Sequence, residues 1–541
     1  GDVWLCSGQS NMELQVWRSL DARAEIAGAG NDRIRLLTVP QTAALTPQAD
    51  FGGPVRWQPV NPDSVRDFSA ACYYFARELQ KTVDVPMGLL NAAWGGSRIE
   101  AWTSAEALRG TGRYDAELDV LERYAADPLA GIADWGRLWQ AWWSGRPGMA
   151  AADRPWEGGG AWRDAPAQLG AWERWGVPEL ADFNGMVWYR ATAELTAAQA
   201  AQGGVLALGP ADEVDMTWVN GQAVGSTYGA GSGREYRLPP GLLREGRNEI
   251  VVNVLDTYRE GGLAGPASAH ALQLADGTRV PLGPQWQYRA APAELGTPPR
   301  APWQSAAGLS TLFGGMIAPL GRYGLRGALW YQGESNTGEA AQYAGLLRAL
   351  RQDWRARFGA KLPLLVVQLA NYGPAPTRPV ESGWAQLREV QRQVAGEDRA
   401  TGLVVAIDIG DRYDIHPTNK QELGRRLARA ARHVVYGEDL PPSGPVPVSA
   451  RREGDAVVVR FADASGGLVA YGAEGPVGFE LCGAAPDSCR YAEARIRGDS
   501  VVLRAPVAGA TRVRHGWADS PVVTLFDGAG LPAGPFELPV E

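Results

Sequence analysis

Short apolar runs alternate with stretches of helical spacing from Val3 to about Trp102, and a helix-like segment at 69–80 leads into a strand-like one at 85–90. That rhythm reads as α/β. Helical spacing dominates residues 104–143, and near Trp156 the pattern changes to short strands at 187–190, 205–208, 216–219 and 249–254, separated by Gly, Pro and Asn turns. Asn220-Gly221 between two apolar runs predicts a tight hairpin, so this stretch reads as an all-β module. After the proline-rich stretch 298–302 the α/β rhythm returns. Strands at 328–331, 364–369 and 402–407 alternate with a helix carrying Tyr343, Leu347, Leu350, Trp354 and Phe358 and with another at 384–394. Such alternation implies a parallel sheet covered by helices.

Because both flanking pieces share this character, the β module is read as an insertion. The expected organisation is one discontinuous α/β domain at 1–155 and 286–437 that includes a helical segment at 104–150. The inserted β-sandwich covers 156–285, and a C-terminal β-rich domain covers 438–541. The last begins at the break Pro441-Pro442-Ser443-Gly444-Pro445, with strands at 456–460 and 500–504, and reads as a second sandwich.

Composition narrows the function. The 541 residues hold 52 basic and 60 acidic side chains, a net charge of -8 that argues against a nucleic-acid partner. No apolar run approaches the roughly 20 residues that span a bilayer. The 21 tryptophans are either sugar-stacking platforms or core fillers. The four cysteines lack the close pairs of a zinc ribbon, and no cluster has metal-ligand spacing, so neither metal nor cofactor is expected. Cys482 and Cys489 share a Gly/Pro-rich loop where a bridge would staple a turn, which points to an oxidising compartment. Cys6 and Cys72 lie in apolar segments and read as buried thiols. The chain opens directly on a strand-like run, so a preceding segment, including any signal peptide, is expected to have been removed or to be missing.

Ser10 follows the first strand in Ser7-Gly8-Gln9-Ser10-Asn11-Met12-Glu13, on a Gly-containing turn at the strand's carboxyl end, where α/β enzymes bind ligands. It is a candidate nucleophile, and the alternative is that Ser10 and Asn11 cap the next helix. His416 lies just beyond the last α/β strand, before a helix for which Thr418 and Gln421 have capping-box spacing. A serine hydroxyl needs such a base. His433, inside a helix, and His270 and His515, in the β modules, read as structural. Asp414 or Asp411 would orient His416. Gly95 in Trp94-Gly95-Gly96-Ser97-Arg98, and Gln332 in Trp330-Tyr331-Gln332-Gly333-Glu334-Ser335-Asn336, follow other strands and are candidate oxyanion donors. Glu334, Asn336, Arg98 and Asp411 are candidate supporting residues. A glycosidase pairing Glu334 with Asp408, Asp411 or Asp414 is a second reading, and a non-catalytic carbohydrate-binding protein a third. Gly498-Asp499-Ser500 continues as a strand and reads as a hairpin turn.

Four ordered blocks, Gly8-Gln9-Ser10-Asn11-Met12, Trp94-Gly95-Gly96-Ser97, Trp330 to Asn336 and Asp414-Ile415-His416-Pro417, resemble those of sialate O-acetylesterase-like enzymes, a branch of the SGNH hydrolases. The resemblance extends through 1–104 and 303–436. It implies a flavodoxin-like three-layer α/β/α domain and a serine esterase that removes acetyl groups from acetylated glycans such as sialic acid, xylan or xyloglucan. In that reading Ser10 is the nucleophile, His416 the base, and Ser10 N–H, Gly95 N–H and Gln332 the oxyanion hole, while the preference for Asp414 over Asp411 as the acid comes from its spacing, which puts it on the side of His416 in an extended loop. A periplasmic or secreted setting goes with it. The inserted module resembles galactose-binding-like jelly rolls, and a role beside the catalytic crevice in engaging large glycans is expected of it. Two departures stand out: Tyr413 occupies the position three before the histidine where many of these enzymes carry the acid, and the β-rich segment that commonly precedes the nucleophile strand is absent.

Overall fold

A computed structural model describes residues 1–150, 152–283 and 285–541. The α/β region is one seven-stranded sheet built from β1 (Asp2–Gly8), β2 (Asn31–Thr38), β3 (Gln58–Val60), β4 (Met87–Ala93), β5 (Gly327–Tyr331), β6 (Leu364–Gln368) and β7 (Thr401–Val405). Their order is β7-β6-β5-β1-β4-β2-β3, parallel throughout except for the edge pair β2 and β3. The first segment of the chain thus builds one half of the sheet and the second segment the other, with β1 at the seam. Every residue of β5 and β6 is buried, so both faces are covered. The helices that cover them pack in two pairs, α1 (Ala70–Leu79) with α4 (Lys420–Val434), and α2 (Ala340–Phe358) with α3 (Gly383–Gly396). Aromatic contacts tie strands to helices, as in the edge-on pairs Trp4 with Phe75 at 4.8 Å and Trp330 with Trp354 at 5.5 Å.

Cys6 and Cys72 are not buried thiols: they form a disulfide between β1 and α1, and Cys482–Cys489 forms a second. The first pair is separated by 66 positions and is brought together only by the packing of α1 on β1.

The chain divides into two compact units, 1–113 with 310–541, and 114–309. The second unit is larger than the expected 156–285 module because the helices Asp115–Ala126 and Pro128–Ser144 belong to it. Trp139 and Trp143 of the latter helix pack edge-on against Trp188 at 5.5 and 4.9 Å, and Trp139 against Trp218 at 5.2 Å. The helix's apolar stripe therefore packs on the face of the six-stranded sheet opposite the core that holds Val187, Tyr189 and Leu206, and Trp218, wholly buried, belongs to this helix-on-sheet core. The unit's two larger sheets are antiparallel, with six and four strands. Val219 pairs with Gln222, and Asn220 and Gly221 both have positive φ, as the two-residue hairpin requires. The tail, 446–541, is likewise antiparallel, and Arg497 pairs with Ser500 around Gly498-Asp499, a hairpin turn.

Candidate active site

Strand register assembles the carboxyl edge of the sheet. Gly8 pairs with Tyr331 on one side and Ala93 on the other, so the residues just beyond these three strands emerge together. Gln9 N–H donates to Tyr331 O at 3.0 Å and Trp94 N–H to Gly8 O at 3.1 Å. Gly8 has φ +142°, and a Cβ there would stand 2.0 Å from Tyr331 O, which only glycine avoids. Ser10 opens the short helix Ser10–Glu13, whose N-cap is Gln9, so the Ser10 side chain is not a cap. Gly95 lies against it: a Cβ on Gly95 would meet Ser10 Cβ at 3.4 Å.

The His416 loop reaches the same edge through Asn11. Asn11 Nδ2 donates to Ile415 O at 2.9 Å and to Glu334 Oε1 at 2.7 Å, while its Oδ1 accepts from Lys420 Nζ at 2.8 Å. One amide thus joins the Ser10 turn, the loop after β5, the His416 loop and the start of α4. The cap of α4 is Asn419, which accepts from Glu422 N–H at 3.2 Å, rather than the expected Thr418. Burial lowers the pKa of His416 more than the Asp414 charge raises it, so the ring is neutral near pH 7, as a general base requires. Asp414 Oδ1 lies 3.6 Å from His416 Nδ1 and accepts the His416 backbone N–H at 2.8 Å. Asp411 is exposed and closes a turn by accepting Tyr413 N–H at 2.8 Å. Among the described residues, Ser10 Oγ and the His416 ring share no hydrogen bond in this conformation.

The expected oxyanion donors need correction. Gln332 is wholly buried, and its Nε2 donates inward to Asn336 Oδ1 at 2.8 Å, Ser97 O at 3.1 Å and Gln9 Oε1 at 3.2 Å. It clamps the three loops together and has no proton left for a substrate. Gly95 N–H does sit beside Ser10, but here it donates to Glu13 Oε2 at 2.5 Å. Asn336 Nδ2 donates to Glu100 Oε2 at 3.0 Å. Arg98 bonds Ser335 O at 2.8 Å and pairs with Glu100 and Glu339. Both support the loops from behind.

Glu334 is held through Oε1 by Asn11. Its Oε2 is buried without a hydrogen bond, and burial raises its pKa. Asp408 is held bidentately by Arg426 at 2.6 and 2.8 Å. Asp411 closes an exposed turn and Asp414 lies beside His416, so the glycosidase reading is not favoured. His433, His270 and His515 each bond a backbone carbonyl, with Nδ1 of His270 3.0 Å from Leu208 O.

Reading the sequence missed Gln9, Asn11, Glu13 and Lys420. Gln9 Oε1 accepts from Gly333 N–H at 3.3 Å and Ser335 N–H at 3.2 Å as well as from Gln332. Lys420 is buried, and desolvation lowers its pKa to about 7. A compositional signal for it exists: the chain has three lysines and 49 arginines, and lysine, unlike arginine, sheds its proton when buried.

Comparison with known proteins finds relatives of this chain. Residues 293–433 match the family described as carbohydrate esterase, sialic acid-specific acetylesterase, which bears out the family resemblance over a span that holds two of the four blocks, Trp330 to Asn336 and Asp414 to Pro417. More particularly, the sialate O-acetylesterases of Rattus norvegicus and Homo sapiens are 37% and 35% identical over 119 residues. That is 21% of this chain and 22% and 23% of theirs, so the chain spans about a quarter of the length of these curated relatives. A carbohydrate acetylesterase from Xanthomonas citri superposes with a TM-score of 0.60 at 25% identity, covering 99% of this chain and 80% of that one.

Proposed function

We propose that this chain is a carboxylic ester hydrolase, a serine carbohydrate O-acetylesterase that removes acetyl groups from acetylated glycans. The observation that carries the reading is the Asn11 bridge, which holds the Ser10 turn and the His416 loop at one sheet edge. The fold that goes with it is an SGNH hydrolase domain interrupted by a galactose-binding-like sandwich.

Ser10 Oγ attacks the acetyl carbonyl carbon while neutral His416 takes the hydroxyl proton. The carbonyl oxygen becomes an oxyanion at the start of the helix Ser10–Glu13. Among the described residues the Ser10 N–H has no acceptor, and Gly95 N–H, bonded here to Glu13 Oε2, joins it only where the substrate displaces that carboxylate. Collapse breaks the bond to the sugar oxygen, which leaves with the proton from His416. Water, deprotonated by His416, then attacks the acetyl-serine, and acetate leaves as Ser10 regains its proton. Asp414, beside the ring and bonded to its backbone, orients it and offsets its positive charge.

No metal or cofactor enters these steps. The two disulfides support an oxidising setting, periplasmic or secreted. Acetate release from acetylated xylan, xyloglucan and O-acetyl sialic acid, followed in parallel with wild-type and Ser10→Ala protein, tests the reading. Release from none of them contradicts it.

A further inference from the structure

One large cavity has no part in these steps. Strand Phe479–Cys482 of the C-terminal region turns Phe479 and Leu481 into the local core, so Glu480 faces the other way. With Tyr491, Trp517, Val477, Val522 and Pro376 it lines a cavity of about 720 Å³, within the range of roughly 300–1,000 Å³ typical of ligand sites.

Two buried polar atoms there lack partners, Glu480 Oε2 and Trp517 Nε1, on residues that are 2% and 5% exposed. The cross-strand neighbour Arg514 does not satisfy Glu480, because its guanidinium is held by Glu381 and Glu537 and stacks 4.4 Å over the Trp517 ring. Burial raises the Glu480 carboxyl to about 7, so near neutrality it both donates and accepts. Around this polar floor Tyr491, Val477 and Val522 stand exposed at the rim. Apolar walls over an unpaired donor and acceptor match a sugar, whose ring faces are apolar and whose hydroxyls do both.

The cavity is tied to the catalytic edge. Pro376 belongs to the loop after β6, where Tyr372 N–H donates to Asp519 O at 3.2 Å and Asn371 Nδ2 to Ser520 Oγ at 3.2 Å. On its other side Asn371 Oδ1 accepts from Gly410 N–H at 3.0 Å, and Gly373 N–H donates to Arg412 O at 3.1 Å, in the segment that leads to His416. Buried Arg388 fixes this junction by donating to the carbonyls of Leu369, Ala370, Ala518 and Asp519, all within 2.7–2.8 Å.

We infer that this cavity is a second saccharide subsite, binding a neutral part of the glycan beyond the acetylated residue. The inference rests on the carbohydrate reading above. The neutral class follows from charge: Glu474 and Glu493 also line the cavity, and Arg495, its basic lining residue, is paired with Glu493 at 2.8 Å, so an anionic sugar finds no free countercharge.

The test is calorimetric binding of unacetylated xyloglucan and xylan oligosaccharides, and of sialyllactose, to full-length Ser10→Ala protein. At least one neutral oligosaccharide binds, and Tyr491→Ala, at the exposed rim, weakens it about tenfold or more. Val522→Trp, which fills the mouth, does the same, while Glu480→Gln retains binding. In the Ser10 background, Tyr491→Ala leaves hydrolysis of a small acetyl ester unchanged and raises KM on the acetylated oligosaccharide. Absence of neutral binding, equal binding by the rim variants, or preference for sialyllactose overturns the subsite. Failure of the esterase reading is separate, because it shows as Ser10-independent hydrolysis with the binding result unaffected.

Discussion

Asn11 Nδ2 lies 2.9 Å from the carbonyl oxygen of Ile415, across 404 positions of sequence. The residue after the candidate nucleophile therefore holds the residue before the candidate base. Asn11→Ala removes that tether and also strands Glu334 and Lys420, so kcat on a small acetyl ester falls by about 10²-fold or more. Thermal stability drops as well, by the ~1–3 kcal/mol expected for each buried polar group left unpaired. Wild-type kcat in a folded Asn11→Ala protein would remove the tether from the account.

The tether also carries a pH signature through Lys420. Burial lowers its pKa from the ordinary 10.5 to about 7. Between those values the unfolded chain holds a proton that the folded chain has released, so folding gains stability as pH rises through that window, and below it the full penalty persists. Lys420→Met removes the penalty. The Tm of the variant relative to wild type is highest near about pH 6 and declines toward about pH 9.5. A pH-independent difference would mean that Lys420 keeps its charge when buried.

Asp414 and Asp411 separate by geometry. Asp414 Oδ1 is within 3.6 Å of the His416 ring and Asp411 closes an exposed turn. Asp414→Asn lowers kcat by roughly 10²–10⁴-fold, and Asp411→Asn has little effect. Because the Asp414 charge raises the His416 pKa, the acid limb of kcat/KM moves to lower pH in Asp414→Asn. An unmoved limb with full activity would assign the orienting role elsewhere.

Two glycines at the edge differ in what they tolerate. At Gly8 a Cβ meets backbone at 2.0 Å, so Gly8→Ala disrupts the pairing of β1 with β5 and is destabilising by several kcal/mol, to roughly 3 or more. At Gly95 the nearest atom is the mobile end of Glu13 at 3.2 Å, followed by Ser10 Cβ at 3.4 Å. Gly95→Ala keeps its fold while kcat/KM falls about tenfold to a hundredfold through crowding of the Ser10 side. Melting curves and steady-state kinetics of the two variants separate these effects.

The strands of the catalytic sheet were legible because a buried parallel strand is a short apolar run bounded by turns, as at Gly327–Tyr331 and Leu364–Gln368. Three of the four motifs were legible because register brings their strand ends together at Gly8, Ala93 and Tyr331, whereas Asp414-Ile415-His416-Pro417 lies in the loop between Val405 and Lys420. The boundary of the inserted unit was not: the Trp139 and Trp143 stripe declares a buried helix face without saying which sheet buries it. Pairing of Cys6 with Cys72 was hidden for the same reason, since it depends on packing across 66 positions. Gln332 looked like a donor facing a substrate, and only side-chain geometry reveals that its protons are already bonded.

Turnover of an acetylated glycan by folded Ser10→Ala protein, set against wild type under the same conditions, tests the central claim most directly. The account predicts loss of about 10⁴-fold or more in acetate release, with His416→Ala equally impaired and the double variant scarcely worse than either, because the two act as one unit. Acetate release by Ser10→Ala within tenfold of wild type would contradict it.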